Sequence, residues 1–94
     1  MTHPVEMYVG PVLMAGYMTD AVINALQIEN PTLRVLDHGS YVCLQATNRC
    51  VLHATTVTRF LGRTFLLPRD LESILCSFQG KMQISCDQII WESR

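Results

Sequence analysis

The stretch from Val9 to Pro31 constrains the fold more than any other part of the sequence, because backbone chemistry fixes both of its ends. Val9-Gly10-Pro11-Val12 opens an apolar, β-compatible run that reaches Ala15-Gly16, and Ile28-Glu29-Asn30-Pro31 closes the segment after it. A proline cannot donate to a sheet ladder, so Gly10-Pro11 predicts that the strand over Val5–Ala15 is an edge strand or carries a bulge. From Tyr17 the apolar period changes to that of a helix, with Met18, Val22, Ala25 and Leu26 on one face and Thr19 or Asp20 placed to cap the first amides. Pro31 disfavours the helical backbone at Asn30, so the helix stops there. A strand and a helix of defined length follow directly.

The remaining chain divides by the same punctuation. Leu33–Leu36 reads as a short strand ended by the turn-forming run Asp37-His38-Gly39-Ser40. Tyr41–Ala46 and Cys50–Ala54 flank Thr47-Asn48-Arg49, where Asn48 tolerates a left-handed backbone, and the pattern predicts a hairpin. Alternation puts Val42, Leu44, Cys50 and Leu52 towards the helices and Cys43, Gln45, Val51 and His53 on the other side. Thr55-Thr56 starts a short helix with Val57, Phe60 and Leu61 as its apolar stripe and Gly62 past its end. Pro68 suits the first turn of a third helix, in which Leu71, Ile74, Leu75 and Phe78 recur at i, i+3, i+4 and i+7. Gly80 ends that helix, and Lys81–Trp91 supplies a last hairpin or bent strand. The expected order is βαβββααββ: an α+β, single two-layer domain over residues 1–94, with a mostly antiparallel sheet, helices on one face, and residues 1–8 as a short N-terminal tail.

Composition excludes several functions. The 94 residues carry a net charge of −1 with 16% charged side chains, which gives no basic face for nucleic acid. The longest apolar run is broken by Gly10-Pro11 and falls far short of the roughly 20 residues that cross a bilayer, so no membrane partner is expected. Met1-Thr2-His3-Pro4 lacks the features of a signal peptide, which points to the cytoplasm. There the four cysteines, spaced by 7, 26 and 10 with no Cys-x-x-Cys, read as small core hydrophobes rather than disulfides. Cys43, Cys50 and His53 are the one candidate metal group, and strand periodicity sets them on opposing faces. His3, His38 and His53 are isolated, the carboxylates form no acid/base pair, and no Glu-x-x-His repeat is present, so the chain has no catalytic or iron-binding set of its own.

Taken in order, Val9-Gly10-Pro11-Val12 with Ala15-Gly16, Ile28-Glu29-Asn30-Pro31, Tyr41-Val42, Leu61-Gly62-Arg63-Thr64-Phe65 and Ser77-Phe78-Gln79-Gly80 resemble the small effector components of bacterial multicomponent diiron monooxygenases. That family includes soluble methane monooxygenase component B and the phenol and toluene monooxygenase effectors, and the toluene type is the nearest in pattern. The likeness runs from Val9 to Trp91. Thr64 stands where the family usually has proline, and Gln45, Thr47, Cys50 and Cys76 stand where charged residues are common.

The resemblance implies a cofactor-free, non-catalytic regulatory subunit that binds a diiron hydroxylase, with reductase or ferredoxin components in the same system. Such a subunit tunes turnover and coupling in NADH-dependent hydroxylation of toluene-like aromatics, phenols or other small hydrocarbons. It implies partner contacts at Asn30 and Pro31 and at Gly10, Pro11 and Gly16. Met14 and Met18 join them as adaptable apolar side chains at the same edge, while Phe78 reads as core. Two other readings remain open from the residues alone: a small-molecule-binding regulatory α/β domain, and a zinc-held module built on Cys43, Cys50 and His53.

Overall fold

The computed structural model describes residues 7–93. Strand β1 (Tyr8–Met14) leads into helix α1 (Tyr17–Glu29), followed by β2 (Arg34–Asp37), β3 (Tyr41–Thr47) and β4 (Arg49–His53). Helices α2 (Ala54–Leu61) and α3 (Arg69–Glu72) come next, then β5 (Leu75–Gln79), β6 (Lys81–Ile84) and β7 (Gln88–Glu92). All the strand pairs are antiparallel, so the α+β class is as expected. The strands divide between two sheets, however, ordered β2-β3-β1-β5 and β4-β7-β6.

Three expectations change in consequence. β3 and β4 do not form a hairpin. Asn48 is left-handed, with φ 64°, but it passes the chain from one sheet to the other. The junction is tied down from both termini: Asn48 N–H donates to the Met7 carbonyl, and the Ser93 N–H donates to the carbonyl of Asn48. The burial alternation along both strands is nevertheless the one expected, with Val42, Leu44, Cys50 and Leu52 buried and their neighbours partly exposed.

The third helix is a single turn. Its apolar spacing continues past Glu72, but Leu75–Gln79 is strand β5, paired with β1. Phe78 is therefore not core; it is 41% exposed. Leu71 is the buried anchor of the segment. The element order gains one strand over the expected one.

β1 is interior to its sheet rather than at an edge, lying between β3 and β5. The proline is accommodated by local irregularity: register partners in β3 are found at Tyr8 and Val9 and again from Val12, none at Gly10 or Pro11. The pairing with β5 shifts register between Val12, opposite Ser77, and Leu13, opposite Leu75, so the extra residue is Cys76 of β5 and the bulge expected in β1 itself is not found there. Gly10 has φ 143°, and any Cβ there would collide with the Leu44 carbonyl of β3. Glycine lets the two backbones approach.

The tail expected over residues 1–8 falls largely outside the described residues, as does the start of the predicted strand at Val5. Met7 already bonds to Asn48 and Tyr8 opens β1. The core joins Val9 and Leu13 of β1, Val22, Ala25 and Leu26 of α1, Leu44 and Leu52, Val57 of α2, Leu71, and Ile89 and Trp91 of β7. Phe60 stands 45% exposed outside the α2 stripe assigned to it.

Candidate functional site

Both ends of α1 carry the residues singled out in the sequence. At its start, Gly16 occupies the N-cap position without a side-chain cap, and the Thr19 hydroxyl donates instead to the Met14 carbonyl. Thr19 is thus a buried clasp between the helix and the strand before it, rather than a cap of the helix amides. The turn it holds projects Met14, 52% exposed, and Tyr17, 70% exposed, into solvent beside Gly16. Met18 is half-buried against the core, and its sulfur lies 4.0 Å from the Ser73 hydroxyl. Tyr41 pairs with Met14 across β1 and β3 and stacks on His38, with ring centroids 4.8 Å apart. Tyr17 opens α1 and Tyr41 opens β3, so the two tyrosines reach Met14 from separate parts of the chain, a juxtaposition that spacing along the sequence does not reveal.

At the other end of α1, Asn30 is only 8% exposed. Its carboxamide donates to the carbonyls of Leu26 at 3.0 Å and Val51 at 2.9 Å, and accepts from Val51 N–H at 3.0 Å. Glu29 continues the pattern. One carboxylate oxygen accepts from His53 N–H at 3.0 Å; the other lies 2.6 Å from His53 Nδ1 and accepts from the Thr56 hydroxyl at 2.8 Å. Since a carboxylate can only accept, the His53 proton sits on Nδ1. Val51 and His53 are two apart on β4, so their backbone groups point to the same side, away from β7. Two helix-end side chains therefore satisfy the free edge of β4 as a neighbouring strand would.

The seven residues expected at the partner surface do not form one patch. Gly10, Pro11 and Asn30 are buried, Met14, Gly16 and Pro31 are exposed, and Met18 is intermediate. The structure joins Met14, Gly16 and Met18 at one end of α1 and leaves Asn30 and Pro31 at the other.

Nor are Cys43, Cys50 and His53 drawn together: Cys43 belongs to β3 and Cys50 to β4, in different sheets, and His53 is engaged by Glu29. Among the described residues no three His, Cys, Asp or Glu side chains stand close enough to hold a metal ion. Burial, with the nearby Glu29 carboxylate adding to it, pushes the Cys50 thiol up to about 12, so it remains neutral. An open groove of about 470 Å³ lies at the start of β1, lined by Met7, Tyr8, Gln45, Gln79 and Gly80. Among the described residues no helix is long and apolar enough to cross a membrane.

The sequence profile of the MmoB/DmpM family matches residues 7–92. The chain is 36% identical over 88 residues to the effector subunit of the alkene monooxygenase system of Xanthobacter autotrophicus strain Py2, a match covering 92% of this chain and 86% of that protein. Its fold is similar to a chain in a phenol hydroxylase–regulatory protein complex, with TM-score 0.84 and 20% identity over 94% of this chain and all of that one. A second structure of such a complex gives TM-score 0.79 and 21% identity over 92% and 99% of the two chains.

Proposed function

The chain belongs to the MmoB/DmpM family of monooxygenase effector proteins, and from that premise we propose that it docks on a diiron hydroxylase and tunes its active site. It does so without a cofactor of its own, raising turnover and coupling in NADH-dependent hydroxylation of aromatic or other small hydrocarbons in the cytoplasm, where NADH is available. The observation that carries the reading is the likeness to an effector subunit over 92% of the chain. A ligand shifts a conformational equilibrium only by its preference for one state, so this protein acts by binding one arrangement of the hydroxylase more tightly than another.

The exposed turn supplies the contact. Met14, Gly16 and Met18, with Pro31 at the far end of α1, meet the partner directly; unbranched thioethers adapt to an irregular surface. Gly10, Pro11 and Asn30 act from inside by holding β1 and α1 in place. The test is reconstitution of hydroxylase, reductase and any ferredoxin with NADH and either toluene or a small alkene. Adding this chain raises the rate and the product formed per NADH consumed. Unchanged rate and coupling with both substrates refute the reading.

A further inference from the structure

Gly10 leaves a gap in the outer face of the four-stranded sheet. It pairs with Gln79 of β5, and Gln45, next to the Ala46 that faces Val9, flanks it from β3. With no side chain on Gly10 to fill the place between the two glutamines, the groove of about 470 Å³ opens there, and Met7, Tyr8 and Gly80 complete its walls. Arg34 pairs with Gln45 across β2 and β3, which puts its side chain on the same face. Its guanidinium stands over the Tyr8 ring, 4.8 Å from the centroid. The ion pairs among the described residues are His53–Glu29 and Arg63–Asp70, so Arg34 is left without a carboxylate, and no acidic side chain lines the groove.

We propose that this groove binds a small aromatic carboxylate, with the acid group on the Arg34 guanidinium and the ring in the trough beside Tyr8 and Met7. A guanidinium stacked on an aromatic ring has its planar fork held in place, and that fork matches the two oxygens of a carboxylate. The carboxamides of Gln45 and Gln79 add N–H donors, while the Met7 thioether and the Tyr8 ring give a flat body its apolar surface. One cation and two neutral amides suit a single negative charge better than a phosphate dianion. The groove is open to water, which screens the charge pair, so the dissociation constant is about 1–10 mM. Binding needs only the free chain, and its failure would leave docking on a hydroxylase untouched.

Titration of the nitrogen-labelled full chain with benzoate, followed by amide resonances, tests this. The amides of Tyr8, Gln45, Gln79 and Gly80 shift together and saturate in that range, while benzamide, the same shape without the charge, needs about tenfold more. Arg34→Gln removes the preference for benzoate over benzamide. Gln79→Glu, which sets a carboxylate in the groove, abolishes benzoate binding. Both positions are exposed, and resonances away from the groove that superimpose on wild type show each variant folded; where one variant fails to fold, the other decides. The proposal is overturned by the absence of a saturable shift, by equal binding of benzamide, by a benzoate preference that survives Arg34→Gln, or by shifts centred elsewhere in the chain.

Discussion

Asn30 shows how one side chain does the work of a strand. A carboxamide has an acceptor and donors in the same plane, as a peptide group does, and Asn30 uses both on Val51. Before a proline, an asparagine reads equally well as a helix-end cap or as a surface contact, and sequence alone gives no sign of a β4 partner 21 positions away. Read from sequence, Asn30→Ala costs little stability. In the structure it strands the Val51 N–H and C=O, and leaving such groups unpaired costs about 1–3 kcal/mol each. For the two groups together, urea denaturation should show a loss of about 2–6 kcal/mol with an unchanged m-value. Cys50 allows a second prediction. Its thiol is raised to about 12 in the folded protein and titrates near 8.5–9 when unfolded, so between these values the folded state holds more protons. Its contribution is fully present below about pH 8.5 and is lost as pH rises through 12. Melting temperatures should fall more steeply from pH 8 to pH 11 in the wild type than in Cys50→Ala. A thiol reagent at pH 8 should label Cys76 and Cys86 and spare Cys50 until the chain unfolds.

At the scale of elements, the β1-α1 unit and the end of α1 were legible because proline and glycine act locally, through the backbone they occupy. α2 was legible within a residue or so for the same reason. The hairpin over residues 41–54 was not: a left-handed Asn48 marks a sharp reversal, but whether the two strands then pair depends on Met7 and Ser93, which hold the turn from the chain ends. The long third helix failed through period ambiguity. Leu71, Ile74, Leu75 and Phe78 fit a helical stripe, yet an edge strand leaves Phe78 partly in water and so erases the alternation that would have marked it. The two halves of that stripe should respond differently to truncation. Leu71 is 1% exposed, and Leu71→Ala should destabilise by about 2–5 kcal/mol. Leu75 is half-buried on the edge strand, so Leu75→Ala should cost clearly less, reversing the emphasis a continuous helix would give. Thermal melts of the two variants side by side decide the matter.

For the whole molecule, five short motifs in order located the family because their spacing reflects a shared backbone path, whereas the surface was much less legible. Spacing marks positions that matter without separating those that face a partner from those that hold the frame. Gly10 is required by the closeness of β3, and Asn30 by the open edge of β4; both are buried. Partner contact and framework support predict opposite signatures in a reconstituted monooxygenase. Met14→Lys puts a charge at an exposed apolar position, where it meets water in the free protein and is desolvated on docking. Its melting temperature should stay at the wild-type value, while the concentration for half-maximal stimulation of the hydroxylase rises about tenfold, the loss of a modest interface residue. Asn30→Ala should lower the melting temperature yet, below the melt, stimulate at nearly the wild-type concentration. Opposite results, with Asn30→Ala stable but inert and Met14→Lys fully active, would move the docking surface from the start of α1 to its end.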